Sequence, residues 1–301
     1  MEKIILDISV VIPAYNCAQT IENALVSIFT QSVLPREVII VDDGSSDHTQ
    51  EVIANSEYDA RIIYVKQVNA GPSKARNHGI SLASSTWIAF LDADDLWVHK
   101  DKLRLQMELA LKHPDAVLID SYASVDWHGE QRITVTRDKH GEVFERFLYI
   151  NAINATSSVL AKRDKIAEIG GFVDDLRFGE DRLLWAQLAK VGGIYTLPIV
   201  TVSKFNEEGN LTSKGYRNYK YRVDLVNRLL QLTSVKNNEL ADIWFANTSD
   251  FLRLSFKVND TITYLMIFDD TLRRMGSKFW LSKYGLLALY AKTFRSFKPL
   301  I

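Results

Sequence analysis

An open α/β sheet is the fold class this sequence predicts, and three apolar runs predict it. Ile8–Ile12, Val38–Val41 and Trp87–Leu91 are rich in β-branched and aromatic residues, as buried strands are. Each stops abruptly at turn-forming polar residues: Pro13-Ala14-Tyr15-Asn16, Asp42-Asp43-Gly44-Ser45-Ser46-Asp47 and Asp92-Ala93-Asp94-Asp95. Helical patterns separate the runs, and sheets wound this way bind ligands outside the carboxyl ends of their strands. Pro13 to Asn16, Asp42, Asp43 and Asp92 to Asp95 are therefore expected to converge on one pocket.

The remaining elements follow in order. Thr20 is placed to cap a helix whose inner face is Ile21, Leu25 and Ile28. Arg61 to Lys66 alternates as a strand does, and Ser73 to Leu82 reads as a helix. Lys100 to His113 is an amphipathic helix stopped by Pro114. Strands are expected at 116–121, 133–136 and 157–161, mixed with short helices, and Glu180-Asp181 opens the amphipathic run Leu183 to Leu188. From Ser213 onward helical patterns dominate, at about 216–232, 239–257, 261–275 and 279–295. The composition shift near residue 205 divides the chain into 1–205 and a helical 206–301. Within the first, 1–115 forms one half and 116–205 the other.

Composition narrows the function classes. A chain of 301 residues holds one large domain with an appendage, or two domains. Its 36 basic and 37 acidic residues nearly balance, which gives no electrostatic case for nucleic-acid binding. Cys17 is the single cysteine, so no internal disulfide forms, and a reducing cytosol suits it. The N-terminus is expected to enter a strand almost at once, so no signal peptide is expected, and no apolar run approaches the roughly 20 residues of a membrane span. The six histidines lack zinc spacing, and neither GxGxxG nor GxxxxGK occurs. A dinucleotide enzyme or a P-loop NTPase is therefore not expected.

The chemistry lies in the carboxylates. Asp92, Asp94 and Asp95 are close in sequence, and three anions repel unless a cation sits among them. Hard oxygen donors of this kind suit Mg²⁺ or Mn²⁺ shared with a substrate's phosphates. A solvated acidic turn capping the next helix is the plainer alternative. Asp43 at a strand end can accept from an imide N–H, and Tyr15 offers a flat face for stacking; a turn-starting Asp before Gly44 is the alternative. Lys74 and Arg76 begin a helix beside the expected pocket, where a cation would hold a diphosphate, although one of them as a plain surface cation is equally ordinary. Glu180 and Asp181 in a first helical turn are favoured by the helix dipole whether or not they act.

In order along the chain, Ser9–Asn16, Val41–Asp47, Asn69-Ala70-Gly71-Pro72-Ser73-Lys74-Ala75-Arg76-Asn77, Asp92–Asp95, and Ile169–Phe172 followed by Gly179–Trp185 together resemble the family 2 glycosyltransferases. That resemblance covers roughly residues 6–205. It implies a GT-A, Rossmann-like mixed sheet, here with a C-terminal helical extension, and an inverting, non-processive enzyme using a nucleotide sugar. It also implies that Pro13, Ala14, Tyr15 and Asn16 cradle base and ribose, with Asp42 beside them. By the same resemblance Asp43 meets the uracil ring, and Asp92, Ala93 and Asp94 form the DXD segment with Asp95 a further metal ligand. Arg76, and less closely Lys74, would hold the diphosphate or ribose region. The family's base falls on Asp181, and Glu180 on the acceptor side. The Gln-x-x-Arg-Trp signature and the membrane spans of processive synthases are missing from the sequence, which argues for transfer of a single sugar.

The expectation is thus a UDP-sugar enzyme with Mn²⁺ or Mg²⁺, acting on a saccharide or lipid-linked acceptor in surface polysaccharide assembly. A dTDP- or GDP-sugar donor is the alternative, and a silent nucleotide-sugar-binding scaffold the rival from another class. The segment after Asp270 carries Arg273, Arg274, Lys278, Lys283, Lys292, Arg295 and Lys298 and no acid. With Phe279, Leu286, Leu287, Tyr290, Phe294 and Phe297 on one side, it reads as an interfacial helix at the cytoplasmic face of a membrane, or as a packed or subunit-contact helix in an oligomer.

Overall fold

Two neighbouring apolar runs become interior strands of a mixed sheet because both of their faces are covered. A computed structural model describes residues 3–56, 61–127, 130–134, 138–204, 215–257 and 260–275. The strands are β1 (Ile5–Ala14), β2 (Leu34–Asp42), β3 (Ile62–Lys66), β4 (Trp87–Phe90), β5 (Leu96–Trp97), β6 (Ala116–Trp127), β7 (Glu130–Thr134), β8 (His140–Gly141), β9 (Leu160–Lys162) and β10 (Gly193–Lys204). Between them lie helices α1 (Ile21–Phe29), α2 (Thr49–Ala54), α3 (Pro72–Leu82), α4 (Lys102–Lys112), α5 (Phe144–Tyr149), α6 (Arg163–Glu168) and α7 (Glu180–Val191).

The strand order is β3-β2-β1-β4-β9-β6-β10-β5, with β7 on β6 and β8 on β10. β1 runs parallel to β2 and β4, with Val10 opposite Val38 and Val11 opposite Phe90, so these three strands deliver their carboxyl ends to one edge. β9 enters antiparallel between β4 and β6. Ile8, Val10, Val11 and Ile12 are buried in sequence, as are Val38 to Val41. Such runs show no alternation because helices cover both sides.

Three expectations need correction. Thr20 precedes α1 but does not cap it: its hydroxyl donates back to the Cys17 carbonyl at 3.3 Å. The helix expected from Lys100 begins at Lys102. The strand expected at 157–161 starts instead with a 3₁₀ turn, Thr156–Ser158, before β9. There Ser158 Oγ donates to the Ala155 carbonyl at 2.7 Å, the local bonding by which serines compete with a strand ladder.

The chain divides into two compact units. The first comprises Met1–Phe147, Asn151–Asp175 and Glu180–Glu208; the second comprises Leu148–Ile150, Leu176–Gly179 and Gly209–Ile301. In the second, α8 (Gly215–Gln231), α9 (Asn237–Lys257) and α10 (Thr261–Met275) match the helical periodicity. Tyr219 donates to Asp270 at 2.8 Å, as does Arg274 at 2.9 Å, and the Arg274 guanidinium lies 4.5 Å from the Trp244 ring centroid. Among the described residues no helix is long and apolar enough to cross a membrane. The helix expected at 279–295, with most of the basic tail, lies outside the described residues.

Close packing of α3 on the sheet gives a test of the fold. A Cβ at Gly79 would sit 2.5 Å from Val11 Cγ1 and 3.4 Å from Val41 Cγ2, both in buried strands. Glycine to alanine inside a helix ordinarily stabilises by roughly 0.5–1 kcal/mol. Overpacking of a filled core costs about 1–3 kcal/mol and should win here. Gly79→Ala is expected to lower the urea midpoint; an unchanged or higher midpoint would show that helix and sheet can part at no cost.

Candidate active site

The residues that end β1, β2 and β4 enclose a cleft of ≈ 810 Å³. That volume falls in the range of sites for small ligands. Pro13, Ala14, Tyr15, Asn16 and Cys17 line one wall. Asp43, Asp47, Asn69, Gly71 and Pro72 form a second, and Ala75, Arg76, Asp92, Ala93 and Asp94 a third. Most of the predicted residues are thus brought together. Asp42, Lys74, Asp95, Glu180 and Asp181 do not line the cleft.

At one end Tyr15 leaves β1 half-exposed. Asn16 takes a left-handed conformation, φ +47°, that asparagine tolerates better than most residues. Its amide oxygen accepts from Ser46 N–H at 2.9 Å, and its own N–H donates to Ser45 Oγ at 2.9 Å, tying the two loops together. Gly44 between them has φ +82°, a conformation that disfavours a side chain.

Asp42 and Asp43 have separate tasks. Asp42 is fully buried and accepts from Tyr64 Oη at 2.6 Å and Ser45 N–H at 2.7 Å. Burial raises its carboxyl, but those two bonds outweigh it and hold the group below its ordinary value. Asp42 therefore braces the turn. Asp43 faces the cleft and accepts from Gln67 Nε2, Ala70 N–H and Gly71 N–H at 2.7, 2.9 and 2.7 Å. A carboxylate has about four acceptor sites, so Asp43 can hold this loop and still accept once more from a ligand.

The other end carries the charge. Arg76, buried on α3, donates to Asp92 at 2.7 Å, approaches Glu180 at 3.7 Å and lies 5.3 Å from the Phe172 ring centroid. Burial opposes its charge, but Asp92 and then Glu180 outweigh burial and raise its pKa. Its Nε and Nη1 are buried without a hydrogen-bond partner, so the hydrogen-bonding capacity of the guanidinium is only partly used. Burial likewise opposes the ionised Asp92, yet Arg76 keeps that carboxyl low, helped by Lys204. Glu180 is raised, first by burial and then by the neighbouring Asp181 charge. Lys74 lies elsewhere, in an exposed pair with Asp174 at 3.3 Å.

Asp95 is 1% exposed and accepts from Ser157 Oγ at 2.5 Å. Burial first, then the Asp92 charge, raise its carboxyl. The same Ser157 hydroxyl accepts the Asp92 N–H at 3.0 Å, and Trp97 Nε1 donates to the Ser157 carbonyl at 3.0 Å. Ser157 thus buckles the acidic loop from behind, and Asp95 is a structural member of it. Among the described residues no group of three or more His, Cys, Asp or Glu is arranged to hold a metal. What faces the cleft is exposed Asp94 with half-buried Asp92. That set fits Mg²⁺ or Mn²⁺, which use one or two carboxylates together with substrate phosphates.

Comparison with known proteins identifies the family. The family model described as Glycosyl transferase family 2 matches residues 9–169. The chain belongs to that family. Among its relatives, the teichuronic acid biosynthesis glycosyltransferase TuaG of Bacillus subtilis, itself a putative assignment, is 32% identical over 62% of this chain and 73% of its own length. An uncharacterized glycosyltransferase of Rickettsia conorii is 35% identical over 62% of this chain but only 31% of its own length, so the chain spans about a third of that protein. Solved structures share the GT-A fold. S. aureus TarS in complex with UDP-GlcNAc superposes with a TM-score of 0.61 at 18% identity, covering 87% of this chain and 90% of that one. The Pyrobaculum calidifontis mannosyltransferase PcManGT, in complex with GDP-Man and Mn²⁺, gives 0.61 at 19% identity over 92% and 81%.

Two residues of this family 2 site escape sequence reasoning. Ser157 lies in a stretch that reads as strand, although three successive hydroxyls, Thr156 to Ser158, are unusual before a buried run. Asn151 donates to Asp181 Oδ2 at 3.0 Å, and no local pattern marks it.

Proposed function

We propose that this chain is an inverting, metal-dependent glycosyltransferase that moves one sugar from a UDP-sugar to a saccharide or lipid-linked saccharide of a surface polysaccharide. One observation carries the reading: a single cleft has an aromatic face and the Asp43 acceptor at one end, and Asp94, Asp92 and buried Arg76 at the other. That is the chemistry a nucleoside diphosphate needs, an imide N–H at one end and two phosphates at the other.

Tyr15 stacks on the base, Asp43 accepts from its imide, and Arg76 meets the diphosphate or ribose region. Asp94 and Asp92 would hold Mn²⁺ or Mg²⁺, which supplies neutralisation of the charge that develops on the leaving diphosphate. Glu180 adjoins the cleft through Arg76 and orients the acceptor. Asp181, next along α7, takes the acceptor hydroxyl's proton as that oxygen attacks the anomeric carbon in line. The name of TuaG supports a surface polysaccharide as the setting. A GDP-sugar donor is the second reading, supported by the GDP-Man bound to PcManGT.

A thermal-shift screen of UDP-, dTDP- and GDP-sugars with Mn²⁺ tests the donor, because a ligand that binds the native state raises apparent stability. UDP-sugars are expected to give the largest shift. A larger shift with GDP-sugars would replace the donor assignment, and no shift with any nucleotide sugar would overturn the cleft as a donor site.

A further inference from the structure

We infer that Asn151 is a positioning residue for Asp181, an inference resting on the assignment of Asp181 as the base. Asn151 Nδ2 donates to Asp181 Oδ2 at 3.0 Å, while its Oδ1 accepts the Ile153 N–H at 3.2 Å. The second bond fixes the amide's orientation, since a flipped amide would set N–H against N–H and oxygen against carboxylate. The other Asp181 oxygen accepts the Arg182 N–H at 2.6 Å, inside the first turn of α7. Two donors, one local and one thirty residues away, therefore define the plane of the carboxylate. Its remaining acceptor sites stay available to a hydroxyl proton.

The turn that carries Asn151 is itself fastened. Lys139 Nζ donates to the Ala152 carbonyl at 2.7 Å and pairs with Asp120 at 3.0 Å, both side chains being wholly buried. Asp120 also accepts from Thr196 Oγ1 at 2.7 Å, and Asn154 Nδ2 donates to the Ser121 carbonyl at 3.2 Å. Arg182 Nε, beside Asp181, donates to the Phe147 carbonyl at 2.8 Å. Phe147 and Asn151 are thus each tied by one bond to the start of α7. Buried ion pairs return little net stability, so fixing this turn is the more telling consequence of the Lys139–Asp120 pair. Catalytic groups need such support, because misplacement by about 1 Å can cost 10²-fold in rate.

Asn151→Asp is the incisive variant. It keeps the shape and the Ile153 bond but replaces the donor facing Asp181 with an acceptor. Asn151→Ala removes both bonds. Turnover is read as UDP released from UDP-glucose and UDP-N-acetylglucosamine, with short cell-wall saccharides and with water as acceptor. Both variants are expected to lose about 10- to 100-fold in kcat. Donor KM, UDP affinity by calorimetry and the Asn151→Asp melting temperature should stay near wild type. In an Asp181→Asn background, Asn151→Asp should add no further loss, because residues acting as a unit are not additive. Wild-type kcat in the Asn151 variants, or losses that multiply with Asp181→Asn, overturn the inference and leave the base assignment standing. Near-normal kcat in Asp181→Asn alone overturns the base assignment instead.

Discussion

Asp181→Asn is expected to lose roughly 10²- to 10⁴-fold in kcat with unchanged UDP affinity. The substitution is nearly isosteric, and the amide oxygen can still accept the Arg182 N–H that now closes the first turn of α7 at 2.6 Å. Fold and helix start therefore survive, and what disappears is the capacity to accept a proton, together with the bond from Asn151, since the amide nitrogen cannot accept. Glu180 does not substitute for it. Its carboxyl is raised by burial and by the Asp181 charge, and it sits against Arg76 at 3.7 Å. Turnover and the anomeric configuration of the product check the claim together. Near-normal turnover would reduce Asp181 to a helix-terminal acid. A product that retains the donor's configuration would refute in-line attack, whatever the variant does.

The sheet was legible because strands covered on both faces must be apolar throughout, and Val10 to Ile12 and Val38 to Val41 carry that signal without help from the rest of the chain. The site was legible to the depth of the strand ends and no further. Asp42 and Asp43 look alike in sequence, yet alternation along an extended chain sends neighbouring side chains opposite ways. One therefore meets Tyr64 under the turn while the other faces the cleft. Asp95 was expected as a further ligand on its place in the acidic run alone, and proximity in sequence says nothing of which carboxylate a distant serine will bond; Ser157 is 62 residues away. Lys102 lies in the amphipathic helix expected from Lys100, and no local pattern marks it as a core residue. It is buried, donates to Gln106 at 2.7 Å and lies 4.2 Å from the Trp97 ring centroid, and burial pulls it down to about 7. Contacts of this kind are made by tertiary packing, to which local periodicity is blind.

The separation of Asp94 from Asp95 leads to the second large effect. UDP binding should tighten on adding Mn²⁺ or Mg²⁺, and Asp94→Ala should remove most of that coupling while leaving the melting temperature of the ligand-free chain nearly unchanged, since Asp94 is exposed. Stabilising the charge on a departing diphosphate is worth several kcal/mol, and each 1.36 kcal/mol is a factor of ten, so kcat/KM should fall about 10²-fold or more. Asp95→Asn should behave in the opposite way. Its carboxylate is buried against Ser157, whose hydroxyl also receives the Asp92 N–H, so the substitution loosens the loop from behind. That variant should melt lower yet keep a UDP affinity that responds to EDTA. Calorimetry on the two variants, each with metal and with EDTA, separates the roles. Loss of metal response in Asp95→Asn but not in Asp94→Ala would exchange the assignments. Equal UDP affinity with metal and with EDTA in the unsubstituted chain would remove the cation from the mechanism altogether, leaving Arg76 to meet the diphosphate unaided.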